Sequence, residues 1–104
     1  MEKIDYSVLP DYMREAAQEY VEHGYEPYHH DFFYELLTND LFGVYRWGDE
    51  TNIANLQVWM KWLYNEVPHP CWGSVEKVAA WVAKGGMVGP IINYAIGGGG
   101  CGDF

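Results

Sequence analysis

Positive charge is scarce in this chain. Its 104 residues hold six Lys and Arg against 15 Asp and Glu, a net charge of -9. Direct binding to nucleic acid or to an anionic membrane needs clustered bases that replace counterions. The six bases are scattered, so both classes are disfavoured. Cysteine is scarce too. Cys71 and Cys101 are the two thiols, too few for a disulfide scaffold. Long apolar runs are missing. Gly85–Gly102 is uncharged, but eight of its 18 residues are Gly, which is too little apolar bulk to span a bilayer. The N-terminus, Met1 to Tyr6, lacks the basic segment and apolar run of a secretory signal. These absences predict a cytoplasmic protein with reduced thiols.

What is abundant is acid, and it is unevenly placed. Residues 1–50 carry 12 acids and three bases, whereas residues 51–104 carry three of each. The whole net charge therefore belongs to the first half. Aromatic residues are abundant as well: nine Tyr, five Trp and four Phe. That is more than one small core can hide, so some rings are expected at the surface, where Tyr and Trp favour protein interfaces. The length suits a single domain with a core adequate for stability.

The hydrophobic pattern predicts an all-α fold, a compact bundle of four to five short helices over residues 1–86. An apolar, Gly-rich tail over 87–104 is expected to be extended. A first helix is predicted from Pro10 to His23, with Pro10 in the first turn and Asp11 at the positive end of the dipole. Leu9, Met13, Ala16, Ala17 and Tyr20 form its apolar face, and Gly24 ends it. A second helix is expected from His30 or Asp31, with Phe32, Phe33, Leu36 and Leu37 buried. A break near Asn39-Asp40 precedes a short segment through Tyr45 that ends at Gly48. A third helix is predicted from Glu50 or Thr51 to Val67. Ile53, Leu56, Met60, Leu63 and Val67 mark it as the central buried helix, widened by Trp59 and Tyr64. Val58 and Trp62 fall off that face. Ser74 is the expected N-cap of a fourth helix packed through Val75, Val78, Ala79, Trp81 and Val82, with Gly85-Gly86 as terminator.

No catalytic constellation emerges. His29-His30-Asp31 lacks the i, i+4 spacing of helical metal ligands. His69-Pro-Cys71 places a thiol near an imidazole, but nothing marks an orienting group or an oxyanion hole. Gly97–Gly100 lacks the Lys and Ser/Thr of a phosphate loop. The sequence thus reads as a non-enzyme, with no cofactor and no metal.

The remaining signal is an acidic stripe. Asp11, Glu15, Glu19 and Glu22 recur at helical spacing opposite the apolar face, with Arg14 as the one nearby base. Neighbours at i, i+4 lie about 6 Å apart and repel by a few tenths of a kcal/mol. Such a row is a solvated face or a surface that replaces a phosphate backbone. The competing candidates for a binding anchor are rings, Tyr28 and Trp62.

Several segments carry a resemblance. Leu9-Pro-Asp-Tyr-Met-Arg14, Tyr20-Val-Glu-His-Gly-Tyr-Glu-Pro27, Asn39-Asp-Leu41 and Asp49-Glu-Thr-Asn52 resemble a family of small tailed-phage accessory proteins. So do Trp62-Leu-Tyr-Asn-Glu66 and Cys71-Trp-Gly-Ser-Val-Glu-Lys-Val78, the most specific parts, with Ala80-Trp81. The resemblance covers about residues 9–86. It departs at Tyr28-His29-His30, where the family has Gly-Ser-Phe, and has no counterpart beyond Gly86. It implies a phage or prophage protein acting in the bacterial cytoplasm, without enzymatic activity. Two functions are then expected as alternatives. One is inhibition of a host nucleic-acid-binding defence complex, anti-CRISPR-like or anti-restriction, through the acidic face. The other is phage interaction or assembly through exposed aromatics and the tail.

Overall fold

The computed structural model describes residues 3–89. Within them the chain forms six short helices and two 3₁₀ turns, with no strand. The all-α reading holds.

A 3₁₀ turn at Asp11–Met13 leads into α1, Arg14–His23. Gly24 caps α1 in the left-handed conformation (φ 73°), as a Gly at this position allows without a Cβ penalty. Helix α2 is Phe32–Leu37 and α3 is Leu41–Trp47. Between them Asn39 takes φ 66°, a conformation Asn tolerates, and the Asp40 carboxylate accepts from the Gly43 N–H to start α3. Helix α4 is Glu50–Ala54, capped by Asp49 through the Asn52 N–H. Helix α5 is Leu56–Asn65. A 3₁₀ turn at His69–Cys71 precedes α6, Val75–Lys84, whose cap is the Ser74 hydroxyl accepting from the Lys77 N–H.

The core is aromatic. Trp59 is fully covered and packs edge-on against Phe32 and Trp62, at centroid distances of 5.5 and 5.8 Å. Phe33 meets Tyr20 of α1 edge-on at 5.9 Å. Three buried indoles also satisfy their N–H groups. Trp59 donates to Asn52 Oδ1, Trp62 to the Asp5 carbonyl, and Trp81 to the Tyr20 and Val21 carbonyls. Each buried ring removes 150–250 Å² from water, about 4–6 kcal/mol of transfer free energy.

Four sequence expectations are corrected. The single third helix is two. Asn55 ends α4, and its carbonyl accepts from the Trp59 N–H in α5. The buried face is also rotated. Trp59, Trp62 and Leu63 face inward, whereas Met60 and Tyr64 are 58% and 66% exposed. Two indoles outweigh a methionine in apolar area, so they take the interior. On α1, Ala16 is exposed and Val21 is buried, which turns the apolar face slightly. On α6, Val78 and Trp81 are buried, but Val75 and Ala79 are exposed.

The ends of α1 and α6 cross at two glycines. A Cβ on Gly24 would lie 2.7 Å from the Gly86 nitrogen, and one on Gly86 would lie 2.5 Å from the Gly24 nitrogen. Beyond the crossing, Met87 and Val88 donate to the Val21 and Glu22 carbonyls. These residues, read from the sequence as the start of the tail, are hydrogen-bonded to α1. The tetraglycine run and the rest of the tail lie outside the described residues.

Candidate functional site

The four acids keep to one side. Asp11 and Glu15 are exposed, and Glu19 and Glu22 are half-buried. The buried residues Ala17, Tyr20 and Val21 fix the opposite side of α1 against the core. Arg14 does not neutralise the row. Its Nε and Nη2 donate to the Leu9 and Ser7 carbonyls, both at 2.9 Å. The guanidinium thereby holds the segment that enters α1. Glu22 is engaged: its carboxylate accepts from the Tyr6 hydroxyl at 3.0 Å and from Gln18 at 3.4 Å. Burial and that carboxylate push the Tyr6 phenol up from its usual value. Among the described residues the ion-pair contact is His29 to Glu26, and it touches none of the four acids.

The acidic surface continues beyond α1. The Tyr12 hydroxyl donates to the Asp49 carboxylate at the head of α4. That bond first, and the Asn52 N–H second, hold Asp49 below its usual carboxylate range. Glu50 follows Asp49 and is exposed.

The two candidate anchor rings part company. Tyr28 is 86% exposed. Trp62 is 1% exposed, so the expectation of a surface anchor there is overturned. It packs against Trp59 and Tyr6 and belongs to the core. Exposed rings that the sequence did not single out sit on α3. Gly43 and Val44 face α2, where a Cβ on Gly43 would lie 2.7 Å from Glu35. Helical rotation then sends Leu41, Phe42 and Tyr45 outward, at 69–77% exposure. The signal was present: within a seven-residue helix, the one Gly marks the face of close approach. An open pocket of about 710 Å³ lies against this ridge, lined by Phe42, Tyr45, Ile53, Arg46, Asp49 and Glu50. On its other side an apolar groove of about 490 Å³ runs between Leu41, Met60 and Trp72. The Trp72 indole N–H is buried without a partner.

The remaining motifs show no convergence. His29 stacks on Tyr34 at 4.4 Å, whereas His30 sits by Trp47. Cys71 is fully covered, and burial pushes its thiol up to about 12. His69 is exposed and its Nε2 meets the Tyr64 carbonyl at 3.0 Å. A neutral, covered thiol is a poor nucleophile. No described helix is long and apolar enough to cross a membrane. No family model, curated protein or solved structure matches the chain.

Proposed function

We propose that this is a non-enzymatic binding protein that blocks a host nucleic-acid-binding defence complex, anti-CRISPR-like or anti-restriction in kind. Its acidic face, Asp11, Glu15, Glu19 and Glu22, occupies a Lys/Arg-lined site in place of a phosphate backbone. The observation that carries this reading is the unneutralised row on a helix whose other side is locked into the core. The nearest base spends its donors on backbone carbonyls instead. The resemblance to small tailed-phage accessory proteins supports the phage origin and the bacterial cytoplasm as the place of action. The burial of Cys71 removes one candidate nucleophile.

Association kinetics test it, with a partner captured from a bacterial lysate. Screening acts over about 8–10 Å at physiological ionic strength, so binding must weaken steeply with salt. Glu15→Lys with Glu19→Lys should slow association more than it speeds dissociation. A complex that is insensitive to salt and tolerates both substitutions ends the proposal. The second reading, a phage interaction or assembly protein, draws support from the exposed rings of Tyr28, Phe42 and Tyr45.

A further inference from the structure

The pocket between α3 and α4 combines two features, exposed rings and carboxylates. One wall is aromatic and exposed: Phe42 is 76% and Tyr45 is 77% accessible. The rim carries carboxylates, Asp49 and Glu50. Both Asp49 oxygens are already oriented, Oδ2 by the Tyr12 hydroxyl and Oδ1 by the Asn52 N–H. Ile53, itself partly exposed, also lines the pocket. So does Arg46. Acids still outnumber bases two to one there.

Such a pocket suits one kind of group. A guanidinium is planar, stacks on aromatic faces and pairs with carboxylates through a fixed fork. An ammonium is more strongly hydrated and lacks that fork. A purely apolar side chain would leave the rim acids unanswered. The pocket is also tied to the 3₁₀ turn that precedes α1, because the Tyr12 hydroxyl reaches Asp49.

We propose that the α3–α4 pocket receives an arginine side chain of the protein partner, stacked on Phe42 and Tyr45 and paired with Asp49 and Glu50. This rests on the reading of the protein as a binder of basic surfaces and adds where one anchoring side chain goes. The remaining α1 acids supply the diffuse attraction around it.

The test needs no identified partner. The full chain, labelled with nitrogen-15, is titrated at low salt with acetyl-Gly-Arg-Gly-amide. Parallel titrations use the lysine peptide and the citrulline peptide, which keeps the shape but not the charge. Saturable amide shifts are expected across residues 42–53 with the arginine peptide. Loss of the charge-assisted pairs should weaken the citrulline peptide roughly ten-fold. Phe42→Ala and Tyr45→Ala should each weaken arginine binding roughly three-fold. Asp49→Asn, which keeps a capping side chain, and Glu50→Gln should act in the same direction. Glu15→Lys with Glu19→Lys should weaken the arginine and lysine peptides by a similar factor, through lost diffuse attraction, while the shifted residues still map to 42–53. Equal binding of arginine and citrulline peptides overturns the proposal, as does the absence of saturable shifts at 42–53. Shifts confined to residues 11–22 overturn the pocket while sparing the acidic-helix reading. That reading fails separately, through salt-insensitive partner binding.

Discussion

The chain uses its aromatic rings in two opposite ways. Between α1, α2, α5 and α6 the rings are dry. Trp59, Trp62 and Trp81 lie at or below 6% exposure, each with its indole N–H satisfied. On α3 the rings of Phe42 and Tyr45 stand in water beside a carboxylate rim. Both regions are rich in rings. The difference lies in whether a ring has a neighbour to pack against and an acceptor for its polar atom. A ring count alone therefore says little about the core of a small protein.

The sharpest way to break this contrast is truncation on each side of it. Trp59→Ala and Trp62→Ala should each lower stability by about 3–5 kcal/mol, the range for large buried rings. Tyr45→Ala should change stability by less than about 0.5 kcal/mol, as for surface sites without special features. Urea melts of the three variants check this, and a Trp62→Ala protein as stable as the parent would return that ring to the surface.

A second pair sharpens it within one helix. Leu63→Ala is expected to be destabilising by about 2–5 kcal/mol, but its neighbour Met60→Ala by less than about 0.5 kcal/mol. Comparable losses would mean that α5 presents its Met60 face inward.

Smaller losses than those of the buried rings are expected at the helix starts. Ser74→Ala removes the cap of α6 and should be destabilising by about 1 kcal/mol. Asp49→Ala removes the cap of α4, and its effect should depend on pH. The folded carboxyl is held below its unfolded value of 3.8. Its stabilisation is therefore complete above that value and disappears as pH falls through the lower folded one. Melts of parent and variant should converge at acid pH; a gap that persists there would make the effect one of shape rather than charge.

Local signals carried much of this structure. Pro10, Gly24, Ser74 and Gly85 marked helix ends because they act through their own backbone or a neighbour two or three residues away. The break at Asn39-Asp40 was legible for the same reason. The rotation of α5 was not. Ile53 to Val67 has a helical period, but the period cannot say which of two adjacent apolar stripes wins. That is decided by Phe32 and Tyr6, distant in sequence, which offer Trp59 and Trp62 their packing partners. The acidic row of α1 was visible as a pattern. Its extension to Asp49 through Tyr12 was not, because the hydrogen bond spans 37 residues of chain.

The glycine crossing has a kinetic side. Helices α2 and α3 are joined by three residues and can pair early, since short loops close at little entropic loss. Helix α1 packs on Phe33 of α2 and is also held by partners far along the chain, from the Tyr20 hydroxyl on Cys71 to the Trp81 indole on Tyr20 and Val21. Gly24 and Gly86 can meet only after the intervening chain has compacted. The acidic helix thus has its full set of contacts only once the second half of the protein is in place. A chain still emerging from the ribosome would carry its charge in the first half long before it could present it as a rigid row.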